Sequence, residues 1–260
     1  MEWTRRVEAS PAEVWDAIAT GNGISSWFVP AKVDPGVGGE IRMQLGPGME
    51  SPARITEWHP PERLVYEEDL VEEGAAEPQP LFTEFIVESG DDGTTTLRLI
   101  CHGDAEGEGM DELFESMDEG WGSFLDNLAI YLSGYAGEIC GSMMVDATPD
   151  LGPEDAFEAT LAKLGLSDAA PGDPAALDPG AGGSMSGEVV RRKARDLAIK
   201  AEIPVPGIIE FGAFAWGDET HVRIHVRQYG EGAAEAAAAA SGAWLGWLSD
   251  LFPEDEVASL

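Results

Sequence analysis

Residues 111–133 read DELFESMDEGWGSFLDNLAIYLS and form the longest unbroken helical pattern in the first half of the chain. The apolar side chains recur every three or four residues, which places them on one stripe of a helix: Phe114, Met117, Trp121, Phe124, Leu125, Leu128 and Leu132. At ~1.5 Å per residue the helix would be about 33 Å long, the span of a small domain. The stretch therefore predicts a long amphipathic helix that needs a partner surface, such as a sheet wrapped around it.

The segments before this helix alternate between apolar and polar residues with a period of two, as strands do. Strands are predicted at residues 3–8, 40–45, 53–58, 63–67, 82–87 and 95–101, with Gly and Pro turn signals between them. Ser10 and Pro11 predict the start of a short helix at residues 11–19, and a second helical turn is expected at 24–28 after a break at 21–23. The acidic stretches 68–80 and 103–109 predict solvated loops.

The second half of the chain repeats these signals in the same order. VDATP at 145–149 resembles VEASP at 7–11, DPGAGG at 178–183 resembles DPGVGG at 34–39, and the Trp244-x-x-Trp247 pair matches Trp121-x-x-Phe124. A helix is predicted at 153–164, a connector at 167–184, and strands at 198–204, 208–216 and 220–228, so part of the meander is lost or disguised. We therefore predict two domains, residues 1–137 and a divergent, shortened copy at 138–260.

Composition restricts the classes of partner. The 260 residues carry a formal charge of −34, from 49 acidic and 15 basic residues. Residues 1–137 hold 28 acids and 7 bases, which leaves 21 and 8 for the remainder, so both halves are acidic. Such a surface repels nucleic acid and anionic lipid, and we expect neither as a partner. The acidity fits a GC-rich genome or a salt-rich cytoplasm equally well.

Several absences in the sequence predict a cytoplasmic protein. The chain shows no secretory signal pattern and no run of ~18 apolar residues that would span a membrane. Cys101 and Cys140 have neither CxxC spacing nor a multi-cysteine framework, so two core thiols in a reducing compartment are expected.

Five short motifs of the first half resemble a known family. They are Val7-x-Ala9-Ser10-Pro11-x-x-Val14-Trp15, Trp27-Phe28, Gly38-Gly39-Glu40-Ile41-Arg42-Met43, Trp58-x-Pro60-Pro61-Glu62-Arg63-Leu64 and Gly120-Trp121-x-x-x-Leu125-x-x-Leu128. Together they resemble the bacterial branch of the SRPBCC (START-like) superfamily named after the activator of the heat-shock-protein-ninety ATPase.

This resemblance implies an α+β class with the helix-grip fold, a curved antiparallel β-sheet wrapped around a long C-terminal helix, in two copies. The superfamily includes lipid and polyketide binders, cyclases and chaperone activators, and these share no catalytic constellation. The resemblance therefore predicts fold better than function.

Known catalytic and metal-binding motifs are missing. The sequence contains no GxSxG, HExxH or Walker loop. His221 and His225 would share one face of a strand, but only Glu219 is close enough in sequence to complete a zinc site. We predict no catalytic residue, no metal and no cofactor, and an enzyme is the less favoured interpretation. The basic residues Arg191, Arg192, Lys193, Arg195 and Lys200 are expected to pair with the protein's own acidic surface or with the other domain.

Aromatic residues suggest a binding site in the first domain. A sheet curled over one helix leaves a wedge between them, and an apolar wedge with few polar groups is the usual form of a small-molecule site. The predicted ligand-binding residues are Trp27, Phe28, Trp58, Tyr66, Phe85, His102, Trp121 and Phe124. Plain core packing is the alternative explanation for these aromatic side chains.

Three functions remain compatible with these observations. The first is non-catalytic binding of a small apolar or aromatic molecule in the cavity between the long helix and the sheet. The second is a protein-interaction module of the chaperone-activator kind, with a protein partner or a homodimer. The third is an enzyme like a polyketide cyclase or hydrolase, which would need paired titratable groups inside the cavity. Because the inward-facing strand residues are mostly apolar, the binding function is favoured.

Overall fold

The structure, a computed structural model, describes residues 1–70, 79–90, 92–103, 108–180, 184–253 and 255–260. Side chains are described in these ranges except at residues 70, 79, 108–119 and 203. Most of residues 1–137 form one compact unit, and residues 138–260 belong to a second. Each unit has the helix-grip fold, which confirms the predicted fold class and its duplication.

The first unit contains a meander of strands closed by a long helix. In chain order its elements are β1 (Glu2–Val7), α1 (Pro11–Ala19), α2 (Gly21–Trp27), β2 (Ala31–Val33), β3 (Glu40–Gly46), β4 (Met49–His59), β5 (Arg63–Leu70), β6 (Gln79–Ser89), β7 (Thr95–Gly103) and α3 (Glu108–Gly134). The sheet order is β1-β7-β6-β5-β4-β3-β2. Register places Leu64, Phe85 and Leu99 in one row, all buried on the concave face that α3 covers.

Local sequence fixes the start of α1 as predicted. The Ser10 hydroxyl accepts a hydrogen bond from the Glu13 backbone N–H, and the Glu13 carboxylate accepts one from the Ser10 backbone. Pro11 occupies the first turn, where its missing N–H costs nothing. This capping box leaves Val14, Trp15 and Ile18 facing the core.

The predicted break at residues 21–23 is wrong, because α2 begins at Gly21. Thr20 caps this new helix by accepting a hydrogen bond from the Gly23 backbone N–H at 3.0 Å. Gly23 packs so closely on α1 that a Cβ there would clash with the Asp16 carbonyl oxygen. The glycines therefore allow two short helices to lie side by side rather than interrupting them.

Both ends of the stretch 68–80, which was predicted to be a loop, belong to strands. β5 continues to Leu70 and β6 begins at Gln79, so Glu68 is a strand residue. Residues 71–78 and 104–107, where the rest of the two predicted loops falls, lie outside the described residues. The long helix extends over Glu108–Gly134 instead of 111–133, and the predicted stripe positions Phe114 and Met117 fall where side chains are not described.

The second unit repeats the plan with changes. Its elements are β8 (Cys140–Thr148), α4 (Pro153–Leu164), β9 (Pro174–Leu177), β10 (Met185–Arg192), β11 (Asp196–Ile203), β12 (Gly207–Trp216), β13 (Glu219–Tyr229), α5 (Ala233–Leu251) and β14 (Glu256–Ser259), and its sheet order is β14-β8-β13-β12-β11-β10-β9. In the described residues, six strands and one short helix precede α5, against seven strands and two short helices before α3.

Two elements of this unit were not predicted. β9 lies inside the expected connector 167–184, and β10 covers residues that the sequence pattern did not assign to a strand. The helix predicted at 153–164 is confirmed as α4, which ends at Gly165 in the left-handed conformation (φ 72°). The meander is therefore more complete than its sequence pattern indicated.

The remaining predictions concern cysteines and charges. The two cysteines form no disulfide with each other; Cys101 is buried and Cys140 is half-buried. The basic cluster pairs with acidic residues of its own unit, as predicted: Arg191 with Asp196 and Glu210, Arg192 with Glu158, and Arg195 with Glu154. None of the helices in the described residues is long and apolar enough to span a membrane.

Candidate ligand-binding site

An aromatic cluster joins α2, α3 and the concave face of the first sheet. Phe28 is at its centre: its ring stacks with Trp27 (centroids 5.6 Å apart) and with Trp121 (5.2 Å). Phe124 contacts the same ring edge-on at 4.6 Å, and Phe85 of β6 meets Trp121 at 6.5 Å. Edge-to-face and offset-stacked pairs of this kind are favourable beyond their buried area.

The residues of this cluster differ in how firmly the surrounding structure holds them. Trp27 is buried, and its indole N–H donates to the Ala17 carbonyl at 3.0 Å. Asn127 of α3 donates to the Trp27 carbonyl at 3.4 Å. Phe28 is half-buried and sits at the C-cap of α2, where its backbone leaves helical geometry (φ −110°, ψ −102°). The two indoles are therefore anchored in the core, while the Phe28 ring lies at the edge.

A small cavity lies behind these rings. Its volume is about 10 Å³, and its walls are Ile18, Ile24, Trp27, Phe28, Met43, Tyr66, Phe85 and Trp121. A cavity needs roughly 10–15 Å³ to hold one water molecule. The wedge is thus filled by the protein's own aromatic side chains in this conformation.

Five of the eight residues predicted for the site line this cavity: Trp27, Phe28, Tyr66, Phe85 and Trp121. Phe124 packs beside it against Phe28. Trp58 is on the same face of the sheet but packs against Trp15 of α1 at 5.1 Å, and it does not line this cavity.

His102 does not point towards the cavity mouth. It is exposed and stacks on Phe82 at 5.2 Å. Successive strand residues face opposite sides, and its neighbour Cys101 is buried on the concave face. His102 must therefore face the convex side, and the prediction that it joins the others in the wedge is wrong.

A polar cluster that the sequence analysis missed borders the cavity. Tyr66, Thr83 and Cys101 are register partners across β5, β6 and β7. Thr83 lies between the other two in this row, and its hydroxyl oxygen is 3.8 Å from the Cys101 sulfur. Two residues further along β5, Glu68 accepts a hydrogen bond from the Ser51 hydroxyl at 2.5 Å.

Burial controls the protonation of this cluster. It raises the pKa of the Cys101 thiol to about 11 and that of Tyr66 well above its ordinary value. Burial also raises the pKa of the Glu68 carboxyl, although the hydrogen bond from Ser51 acts in the opposite direction. A thiol with such a pKa stays protonated near neutral pH and is a poor nucleophile.

The matching region of the second unit is packed with large aromatic side chains. Trp244 and Trp247 of α5 meet at 5.6 Å, and Trp244 contacts Phe211 of β12 at 5.5 Å. Phe157 of α4 and Phe252 complete the same core. Trp244 thus takes the place in α5 that Trp121 takes in α3.

On the opposite face of the second sheet lies a buried ion cluster. Glu210 pairs with Arg191 at 2.7 Å and with Arg227. Arg227 also donates to His225 Nδ1 at 2.8 Å, so the ring proton must be on Nε2, which faces the Ser142 hydroxyl at 3.1 Å. Burial and the charge of Arg227 lower the pKa of His225 well below its ordinary value, which keeps the imidazole neutral.

His221 and His225 share this face, as the spacing indicated, but they do not converge. His221 stacks on Phe214 at 5.4 Å, whereas His225 contacts Arg227 and Ser142. Among the residues that the structure describes, no group of three or more His, Cys, Asp or Glu side chains is placed to hold a metal ion.

An open cleft of about 380 Å³ also lies in the second unit. It is formed by the residues around the start of α4 and the β12–β13 turn, and its acidic members are Asp150, Asp218, Glu219 and Asp255. The cleft is at the rim of the unit and is distinct from the seam between α5 and the sheet.

Residues 8–133 match the family model described as Activator of Hsp90 ATPase homolog 1-like protein. The first domain belongs to this family. The match begins just after β1 and ends at the end of α3, so it covers all but the first strand of one helix-grip unit, and the second unit repeats this fold.

Comparisons with known proteins add three solved structures. MLL2253 from Mesorhizobium loti is 20% identical, with 51% of this chain and 96% of that chain covered and a TM-score of 0.47. The di-domain ARO/CYC BexL from the BE-7585A biosynthetic pathway is 16% identical over 97% of this chain and 98% of its own, with a TM-score of 0.47. The Aha1 dimer from Colwellia psychrerythraea is 18% identical over 51% and 96%, with a TM-score of 0.41.

No curated protein matches the chain by sequence. The similarity to these three structures gives no information about a ligand or a reaction of this chain.

Proposed function

We propose that the first domain binds a small, flat, apolar or aromatic molecule between α3 and the concave face of the sheet, without catalysing a reaction. The observation that carries this proposal is the half-buried Phe28 ring, which stacks with Trp27 and Trp121 in front of a small cavity. A ligand ring in the place of Phe28 would contact the same two indoles.

Ligand entry requires the Phe28 side chain to move outward, because the cavity itself is too small for an organic molecule. Exposing a fully buried Phe side chain costs about 1.5–3 kcal/mol, and exposing the half-buried Phe28 costs less. A bicyclic ligand that buries its own apolar surface against the indoles can offset this cost. Trp27 is held by Ala17 and Asn127, so the binding surface would persist when Phe28 swings away.

The chemistry of the lining supports binding rather than catalysis. The eight cavity-lining residues are apolar or aromatic, and Tyr66 supplies the one hydroxyl among them. Burial holds the neighbouring Cys101 thiol in its protonated form. Acid–base or nucleophilic catalysis would require groups that titrate near the working pH.

Removal of Phe28 tests this proposal with naphthalene as the probe. We expect the Phe28→Ala variant to bind naphthalene about tenfold more tightly than the parent protein, because the ligand no longer has to displace the half-buried Phe28 ring. Equilibrium dialysis of the full chain measures both affinities, and urea denaturation measures the stability of each protein.

The matched control is Phe214→Ala, which removes a half-buried ring in the second domain and should leave naphthalene binding unchanged. A Phe28→Ala variant that loses 3–5 kcal/mol of stability and gains no affinity would identify Phe28 as a core residue. If neither protein shows saturable binding, the proposal is wrong and a protein-interaction role becomes the better hypothesis.

A further inference from the structure

The concave face of the first sheet changes character along β5. From Leu64 to Tyr66 its neighbours are apolar and aromatic, but at Glu68 the face becomes polar. Glu68 is the single carboxylate on this face among the strand residues whose side chains are described. The other charged side chain there, Arg5 of β1, forms an ion pair with Asp126 of α3 at 2.6 Å.

Tyr66 connects this polar end to the aromatic cavity. Its ring lines the cavity and lies 6.3 Å from Phe85, which lies 6.5 Å from Trp121. Glu68 follows two residues later on the same strand face and is close enough to influence the Tyr66 hydroxyl electrostatically. A flat ligand that stacks on Trp121 and extends along Phe85 and Tyr66 would thus place its far end at the polar cluster.

One oxygen of the Glu68 carboxylate is available to accept a hydrogen bond from a ligand. Ser51 donates to Glu68 Oε1, and the described residues offer no partner to Glu68 Oε2. The Tyr66 hydroxyl can both donate and accept a hydrogen bond. Tyr66, which lines the cavity, and Glu68, two residues further along the same strand face, therefore offer a hydroxyl and a carboxylate oxygen next to each other.

We propose that Glu68 and Tyr66 hydrogen-bond a hydroxyl group at the end of the ligand, so that the ligand class is a flat phenolic molecule. This inference rests on the proposed function and deepens it. A phenol hydroxyl both donates and accepts, which matches a carboxyl oxygen beside a tyrosine hydroxyl. An aromatic carboxylate fits less well, because a second carboxylate beside Glu68 adds like-charge repulsion.

Naphthalene and two derivatives of similar size, 2-naphthol and 2-naphthoate, separate the contribution of the hydroxyl group from that of the aromatic rings. We expect the full chain to bind 2-naphthol about tenfold more tightly than naphthalene, which corresponds to ~1.4 kcal/mol and is the size expected of one net hydrogen bond. 2-Naphthoate should bind more weakly than 2-naphthol. Equilibrium dialysis with each compound gives the three affinities.

Substitution of Glu68 tests whether this residue causes the preference for 2-naphthol over naphthalene. Glu68→Leu should retain naphthalene binding and reduce the preference for 2-naphthol from about tenfold to less than about threefold. Glu68→Gln, which keeps a hydrogen-bonding side chain, should retain an intermediate preference. The matched control is Glu67→Leu: Glu67 is the neighbouring strand residue, faces the other side and pairs with Arg54.

The outcomes distinguish the two proposals. Naphthalene binding without a preference for 2-naphthol, or a preference that survives Glu68→Leu, overturns the phenol inference and leaves the proposed function standing. Absence of binding for all three compounds overturns both. Far-UV circular dichroism and naphthalene binding by Glu68→Leu itself establish that this variant is folded.

Discussion

Glu68 shows how one half-buried carboxyl links the site to stability. Burial raises its pKa, so the folded state holds this proton more tightly than the unfolded chain does. The stability associated with a raised pKa is fully present below the unfolded-state pKa and is lost as the pH rises through the folded-state pKa. At neutral and higher pH, the ionised Glu68 therefore costs stability.

We predict that Glu68→Gln becomes more stable relative to the parent protein as the pH rises from 4 to 8, because glutamine has no proton to lose. Urea denaturation of both proteins at the two pH values measures the difference in unfolding free energy. Tyr66 and Cys101, the titratable groups that face Glu68, remain protonated over this range because burial raises the pKa of both.

A parallel Glu67→Gln variant, altered on the opposite face of β5, should not show this trend. A pH-independent difference between Glu68→Gln and the parent would mean that Glu68 is solvated in the folded state.

At individual residues, sequence reasoning succeeded for the aromatic positions and failed where strand parity or strand length decided the outcome. Trp27, Phe28 and Trp121 meet as expected: helix spacing fixes the face of Trp121, and Phe28 follows Trp27 directly at the end of α2. His102 could have been placed correctly from the parity of the buried Cys101 beside it. Glu68 could not, since its acidic neighbours resemble a loop until the pairing of β5 with β6 is known.

Among the elements, four adjacent inner strands of the second sheet, β10 to β13, carry an ion cluster. Arg191 of β10, Glu210 of β12 and Arg227 of β13 form one connected group, with Asp196 of β11 bound to Arg191. Although burial opposes its ionisation, Arg227 and Arg191 hold the pKa of Glu210 below its ordinary value. Arg191 would keep Asp196 if Glu210 were removed, whereas the buried Arg227 would lose the carboxylate that it pairs with.

We predict that Glu210→Gln destabilises the protein by about 3–5 kcal/mol, the cost of breaking a buried ion pair by removing one partner. Chemical denaturation monitored by tryptophan fluorescence measures the change.

The control is Glu40→Gln, which removes one partner of the exposed pair between Glu40 and Arg42 and should change stability little. Equal effects of the two substitutions would show that the buried cluster contributes no more than a surface ion pair.

Helices and strands were predicted correctly where their apolar residues recur with a clear period. α4 and α3 have clear periods and were located to within a few residues. β10 was missed because it reads MSGEVVRR, in which the buried positions Met185 and Val189 are separated by small and charged residues. β9 was missed because a Pro-Ala-rich segment has low strand propensity, and its pairing with β10 decides its structure.

On the scale of the whole molecule, the duplication is visible in sequence and structure, but the two copies differ in what fills their cores. The first has a half-exposed ring at the edge of its aromatic cluster, whereas Trp244 and Phe211 of the second are fully buried. We therefore propose that ligand binding belongs to the first copy alone, in a domain that comprises residues 1–137.

This proposal predicts that residues 1–137, expressed alone, fold and bind naphthalene with an affinity within about threefold of that of the full chain. Circular dichroism reports folding, and equilibrium dialysis reports binding. The corresponding fragment 138–260 serves as the control and should not bind the probe. Binding by the second fragment, or loss of binding by a folded first fragment, would contradict it.

The last strand has a consequence for self-association. Strands at the margin of a sheet expose unpaired backbone groups that can recruit another chain and seed aggregation. In the second unit β14 pairs with β8 and occupies that margin. In the first, β1 pairs with β7 on one side in the described part of the chain, and it carries Glu2, Arg5 and Arg6. Charged side chains on an edge strand disfavour pairing with another chain. The second unit therefore covers β8 with an additional strand, whereas the first unit has charged residues on the equivalent strand β1.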